Sequence, residues 1–237
     1  MIVDERTSQR LASSTRFADI LELAEVDSTN RYLLELARRG APEGVVVLAD
    51  YQSAGRGRRG RAWEARPGGA LLMSILLRPA PAVLPPDRRW LAPAAVALAG
   101  ADACQAAIKW PNDLLLDERK LAGILAEADA GAVVVGVGIN VAWAPPGAAS
   151  LGLSVDRGEL LATLLSNLER WCDRWDDVAR AYRQRCATIG RQVRVEVPGR
   201  TVVGRAEAIE PDGRLRVATE GANFAFSAAD VIHVTRP

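Results

Sequence analysis

Residues 106–143, AAIKWPNDLLLDERKLAGILAEADAGAVVVGVGINVAW, limit the fold more than any other stretch. They hold three strand-like runs, DLLL, KLAGILAEA and GAVVVGVGINVAW, separated only by turns at Asp117–Arg119 and Asp129–Gly131. Gaps that short leave no room for a helix, so the runs are hairpin strands of one sheet. VVVLAD (45–50) and ALLMSILLR (70–78) are equally apolar and extend the strand count.

Helical patterns surround these strands. In DSTNRYLLELARRG (27–40), Asp27 or Ser28 can cap the N-terminus, Leu33, Leu36 and Ala37 share a face, and Gly40 is a natural stop. Asp87 to Ala103 predicts a helix, with Pro93 tolerable only near its first turn. Leu161, Leu164, Leu165, Leu168, Trp171, Trp175, Val178 and Tyr182 predict a long amphipathic helix over 159–187, broken near Asp173–Asp177. Residues 1–16 read as a polar lead-in. The predicted class is α/β (α+β), a mixed sheet flanked by helices. After Gly190 the pattern becomes short alternating strands divided by PG, PDG and EG, which predicts a small β-barrel of SH3 type. The boundary falls near 188, giving domains 1–188 and 189–237.

Composition excludes several function classes. Apolar residues are 49% of the 237, enough for a sizeable core. Lys plus Arg is 30 against 29 Asp plus Glu, so no general field draws the chain onto nucleic acid or acidic membranes. The single histidine, His233, argues against a His-dependent triad or a His-rich metal site. Three scattered cysteines, Cys104, Cys172 and Cys186, predict reduced thiols in a cytoplasmic protein. No secretory signal is visible, and the apolar windows are broken by Pro, Gly, Asp or Asn before reaching the ~20 residues that span a bilayer.

Two motifs carry chemistry. GRGRRGR (55–61) combines glycines, which let backbone approach a ligand, with arginines, whose forks match carboxylate or phosphate. A strap over a small anion and a solvated basic loop both fit; a Walker-type phosphate loop does not. In KWPND (109–113), Asn112 and Asp113 on their own read as plain turn residues. A hairpin would nevertheless bring Asp113 near Lys120, with Gly123 keeping the strand surface open. Asn140, closing GVGIN, is either a site residue at a strand end or a buried, hydrogen-bonded asparagine.

With DSTN (27–30), YQSAGRGRRGRAW (51–63), KWPNDLLLDERKLAGIL (109–125) and GVGIN (136–140) in this order, the sequence resembles the biotin–protein ligases (biotin–[acetyl-CoA-carboxylase] ligases). The resemblance implies a class II synthetase-like catalytic domain with a C-terminal SH3-like β-barrel. It implies two steps: biotin and ATP, with Mg2+, give biotinyl-5′-AMP, and the biotinyl group passes to a lysine of a biotin carboxyl carrier domain. It assigns biotin to Ser28, Thr29, Asn30, Gln52, Gly55, Arg56, Gly57, Arg58, Lys120 and Gly123. It assigns ATP and the adenylate to Arg56, Arg58, Arg59, Arg61, Trp63, Asn112, Lys120 and Asn140, with Trp63 enclosing the adenine. Arg58, Lys120 and Asp113 are the implied catalytic residues, and no protein ligand for the metal is assigned.

Bifunctional members carry a winged helix-turn-helix, whereas the 26 residues before DSTN show no such pattern, so DNA binding is not expected. Neither is a membrane; monomer and homodimer stay open. The Gly-rich, self-repelling strap is expected to be mobile until biotinyl-5′-AMP orders it. The C-terminal domain is expected to receive the carrier or complete the nucleotide pocket. A lipoate ligase is the nearest rival reading.

Overall fold

The structure, a computed structural model, describes residues 2–129, 131–227 and 229–234. The elements in chain order are α1 (Glu5–Ser14), β1 (Ile20–Val26), α2 (Thr29–Arg38), β2 (Val46–Gln52), β3 (Ala70–Leu77), α3 (Leu91–Cys104), β4 (Ala107–Lys109), β5 (Asp113–Leu116), β6 (Arg119–Asp129) and β7 (Ala132–Asn140). Then come α4 (Arg157–Trp171), α5 (Trp175–Arg185) and five short strands, β8 (Gln192–Val197), β9 (Arg200–Ile209), β10 (Leu215–Ala218), β11 (Asn223–Phe226) and β12 (Asp230–His233).

The first seven strands form one sheet in the order β1-β2-β3-β7-β6-β5-β4. Only β1 and β2 run parallel; every other pair is antiparallel, as the short turns of 106–143 require. Strand alternation sends side chains to two faces. On one face Leu48, Leu71, Met73, Ile75, Val135 and Val137 meet α3 and α4. Helix α3 is apolar all round and buried on nearly every residue, which suits its place between the sheet and α4. Pro93 sits in its first turn, where no backbone N–H is lost. On the other face α2 is the one helix that packs among the described residues, with Leu33 and Ala37 on Val45, Val47, Leu76 and Val134. Helix α2 covers half of that face. The other half carries Gly123, Gly136 and Gly138, and the cavity lies over it.

Two expectations need correction, and one strand was not read from the sequence. The polar lead-in contains helix α1, capped by Asp4, whose carboxylate accepts from Thr7 N at 2.7 Å; Leu11 is fully buried. A mostly polar helix with one buried leucine is hard to tell from a lead-in. Strand β1 also escaped the sequence reading. It is an edge strand with little full burial, so its pattern lacks a continuous apolar run. The C-terminal strands form a five-stranded sheet in the order β11-β10-β9-β8-β12, not a closed barrel. With β10, β11 and β12 only four residues each, the two edges do not meet. The predicted break in the last helical stretch is real: α4 ends at Trp171 and α5 begins at Trp175.

The five-stranded sheet docks through a clamp on its β9–β10 turn. The indoles of Trp90 and Trp110 donate to Pro211 O and Gly213 O, each at 3.0 Å. Arg183 Nε donates to Ile209 O at 2.9 Å. Among the described residues, no helix is long and apolar enough to cross a membrane.

Candidate active site

A cavity of about 340 Å³ opens beyond the N-terminus of α2. Its floor is the glycine half of the sheet face. An added Cβ at Gly136 would lie 2.2 Å from Asn30 Oδ1, and one at Gly138 would lie 2.4 Å from the Trp63 ring. Glycine there is a condition for Asn30 and Trp63 to lie against the strands. Trp63 also covers Gly123, the cross-strand partner of Gly138, and its Nε1 is buried without a partner.

At one end DSTN enters α2. Ser28 occupies the N-cap without a side-chain capping bond, and its buried residue lines the cavity. Thr29 donates from N and Oγ1 to Gln52 Oε1, at 2.8 and 3.0 Å. Asn30 donates from Nδ2 to Leu125 O at 3.0 Å and Glu127 Oε2 at 2.8 Å. Ser74 Oγ donates to Asn30 Oδ1 at 2.7 Å and lies 2.8 Å from Thr29 Oγ1. The polar groups at this end are therefore oriented in advance. Ser74 was missed in the sequence; the signal was a lone hydroxyl inside the apolar run ALLMSILL.

The Arg/Gly loop forms the roof. It folds back on itself: Arg56 bridges to Ala62, Gly57 N donates to Arg61 O at 2.7 Å, and Trp63 N donates to Gly55 O at 2.9 Å. Its arginines fan out to separate partners. Arg56 reaches Glu127 at 3.5 Å, Arg58 Nη1 donates to Asn112 Oδ1 at 3.2 Å, and Arg59 and Arg61 pair with Asp230 on β12. The loop is thus a hairpin whose arginines find partners on both sheets. Those partners are distant in sequence, and a reading of local composition does not see them.

The opposite wall is KWPND and β6. Lys120 Nζ lies 2.7 Å from Asp113 Oδ1, in an ion-pair contact that is not aligned as a hydrogen bond. A register shift in the β5–β6 pair between Leu114 and Leu115 accompanies this contact. Lys120 also stands 5.7 Å from the Trp63 ring centroid. Burial holds the Arg58 and Lys109 pKa values below their ordinary range, with Asp113 and Asp230 opposing the shift.

Of the sequence-predicted residues, Ser28, Thr29, Asn30, Gln52, Arg56, Gly57, Arg58, Arg61, Trp63, Asn112, Asp113, Lys120 and Gly123 line this one cavity. Gly55, Arg59 and Asn140 stand outside its lining. Gly55 closes the base of the loop, and Arg59 points to Asp230 and Glu196 O. Asn140 is buried and donates to Ala149 O at 2.9 Å, while Ala149 N donates to Lys120 O at 2.9 Å. Asn140 therefore fixes the segment that supports the Lys120 backbone. Lys109, Trp110, Glu196, Asp230, Val231 and Ile232 also line the cavity and were not assigned from sequence. The last four come from the five-stranded sheet. Five cationic side chains (Arg56, Arg58, Arg61, Lys109, Lys120) face three carboxylates (Asp113, Glu196, Asp230), so the lining is built for an anion.

This site sits in a fold whose model matches are specific. Residues 23–142 match the biotin/lipoate A/B protein ligase family, and residues 188–234 match the biotin protein ligase C terminal domain. The Mycobacterium tuberculosis biotin–[acetyl-CoA-carboxylase] ligase is 38% identical, with 98% of this chain and 96% of that protein aligned. The Paracoccus denitrificans protein of the same name is 35% identical over 88% of this chain and 98% of its own length. Among solved structures, the biotin protein ligase from Aquifex aeolicus in complex with biotin and ATP superposes with a TM-score of 0.77 at 26% identity, covering 92% of this chain and 100% of that one. The fold is that of the biotin and lipoate protein ligases. Within that class, the chain belongs to the biotin protein ligase family.

Proposed function

We propose that this protein activates biotin with MgATP to biotinyl-5′-AMP and transfers the biotinyl group to a lysine of a biotin carboxyl carrier domain. The observation that carries this reading is the cationic cavity with the Lys120–Asp113 pair between a pre-oriented polar end and the arginine roof. The polar end, Ser28, Thr29, Asn30 and Gln52, suits the ureido ring of biotin, which needs both donors and acceptors. Lys120 then lies where the carboxylate and the α-phosphate converge.

In the first step a biotin carboxylate oxygen attacks the α-phosphorus. A P–O bond forms to the carboxylate, the bond to the bridging oxygen breaks, and pyrophosphate leaves with the electron pair. Two anions must approach, so fixed cations placed beforehand lower the barrier. Lys120, Arg58 and Arg56 supply them in this reading. In the second step the carrier amine attacks the anhydride carbonyl, AMP leaves, and Asp113 takes the amine proton. Among the described residues no three His, Cys, Asp or Glu side chains gather to hold a metal. Magnesium in this reading arrives on the phosphates as part of the substrate, as this ion commonly does. The C-terminal match favours biotin over lipoate.

The test is incubation with MgATP, a carrier domain and either biotin or lipoate, read by mass spectrometry. Biotin-dependent addition to one carrier lysine, lost in Lys120→Ala, is the expected result. Addition of lipoate instead, or none with either acid, overturns the reading.

A further inference from the structure

Two parts of the cavity hang on one carboxylate that does not line it. Gly123, Leu125 and Glu127 alternate along β6, so all three project to the face of the glycine floor. Gly123 and Leu125 line the cavity, and Glu127 stands just beyond them, opposite Val134 of β7. Its two oxygens serve two residues that do line the cavity. Oε2 accepts from Asn30 Nδ2 at 2.8 Å, and Oε1 lies 3.5 Å from Arg56 Nη1. Asn30 belongs to the polar end of the cavity and Arg56 to its roof, so one side chain spans from the first to the second.

Asn30 is held on three sides. An asparagine amide has two hydrogens to donate. Here one goes to Leu125 O at 3.0 Å and one to Glu127, while Oδ1 accepts from Ser74 Oγ at 2.7 Å. A buried, fixed Asn30 fixes the Glu127 carboxylate in turn, which leaves Oε1 to face Arg56. The Arg56 side chain is 56% exposed, and among the described residues Glu127 is the one carboxylate paired with it. A long guanidinium at the mouth of a cavity is otherwise spread over many rotamers in water. A carboxylate beside the first turn of α2 also suits the helix dipole, which accounts for its place near Asn30 but not for its contact with Arg56. An exposed ion pair adds little to stability. What this one supplies is direction.

We propose that Glu127 is a positioning residue, which aims the Arg56 guanidinium at the place where the biotin carboxylate and the α-phosphate meet. The inference rests on the proposed two-step reaction and adds to it a residue that touches neither substrate. In the first step a carboxylate oxygen bonds to the α-phosphorus as pyrophosphate leaves. A cation already in place lowers that barrier, whereas one recruited from solvent loses part of its interaction to its own ordering. The adenylate, once formed, is retained by the same guanidinium. Biotin binding at the polar end needs Asn30 in place, and for that an acceptor at Glu127 is enough without its charge.

Two substitutions separate the two oxygens. Glu127→Gln keeps an acceptor for Asn30 and removes the charge that faces Arg56. Its biotin affinity by calorimetry stays at the wild-type value. Its kcat for biotin-dependent pyrophosphate release falls about threefold or more, and bound biotinyl-5′-AMP dissociates faster by a similar factor. Glu127→Ala removes both oxygens, and biotin binding weakens as well. Arg56→Ala slows adenylate formation on its own, and in that background Glu127→Gln adds no further loss, because Glu127 acts through Arg56. A loss of the same size in both backgrounds would show that the substitution disturbs β6 or α2 in general and would overturn the inference. Release that is unchanged or faster in Glu127→Gln would overturn it too. If Arg56→Ala forms the adenylate at the wild-type rate, the inference falls with the role given to Arg56. If the wild-type protein itself makes no adenylate, it is the proposed function that fails.

Discussion

Asp230, on the last strand of the chain, forms an ion pair with Arg61 of the Arg/Gly loop, and its other oxygen lies 3.2 Å from Arg59 Nη1. The roof of the cavity is thereby tied to the five-stranded sheet. Both arginines and the aspartate are partly exposed, so the tie is worth about 1 kcal/mol or less. Losing it should free the loop without unfolding the protein. Asp230→Asn is therefore expected to speed tryptic cleavage between Arg56 and Arg61 several-fold. Biotin with MgATP should restore protection by giving the same arginines an anion. A cleavage rate equal to wild type would mean that the loop's own backbone bonds hold it.

The floor is less forgiving than the roof. A methyl added at Gly136 meets Asn30 Oδ1 at 2.2 Å, and Asn30 is held by Leu125 O, Glu127 and Ser74. Gly136→Ala must push Asn30 out of that network. The expected cost is about 1–3 kcal/mol in urea denaturation, the usual range for overpacking a buried site. Biotin binding should weaken more than ATP binding, because Asn30 stands at the polar end of the cavity. A denaturation midpoint unchanged from wild type would show that the strand shifts to make room.

A third test concerns the docking of the second sheet. Gly213 has φ +85°, and a Cβ there would lie 2.5 Å from the Trp90 ring. Gly213→Ala strains the turn and drives it off Trp90, which also weakens the bond from Trp110 to Gly213 O. Because Asp230, Val231 and Ile232 line the cavity, loosening the clamp should lower adenylate formation as well as carrier transfer. Protease access near residues 188–191 should rise in parallel. Normal adenylate formation together with increased cleavage would mean that the sheet serves the carrier step alone.

Much of this arrangement was readable in the sequence because it is local. The hairpins of 106–143 follow from short turns, and the contact of Asp113 with Lys120 follows from the hairpin. The Ser28–Asn30 entry to α2 is a capping pattern beside an apolar stripe. What was not readable is what arrives from elsewhere. Asp230 is 169 residues from Arg61, and no local pattern marks it as the partner. Ser74 looked like a flaw in an apolar strand until Asn30 was seen to lie on it. Asn140 lay open to two readings, and its bond to Ala149, which in turn donates to Lys120 O, is not legible from the strand that it closes.

His233, the single histidine, gives the last prediction. Its Nε2 is 3.1 Å from Thr188 Oγ1, and Thr188 Oγ1 in turn accepts from Trp110 N at 3.0 Å. The ring thus braces the KWPND wall from β12. Burial, with Arg191 and Lys109 nearby, pushes its pKa down from 6.5 to about 4, while Glu118 opposes the shift weakly. Between those values the unfolded chain binds a proton that the folded chain refuses, so stability rises with pH there. The contribution is intact above about 6.5 and is lost progressively as pH falls toward about 4. Glu118, held low by Arg191, also loses its contribution on acidification, but only through its own depressed pKa below the ordinary 4.5. The two windows are therefore offset. His233→Gln keeps a polar group beside Thr188 without the titration, and its urea midpoint should stay nearly level between pH 6.5 and 5 while the wild type declines. Parallel profiles for the two proteins across that interval would show that His233 is not the group that titrates.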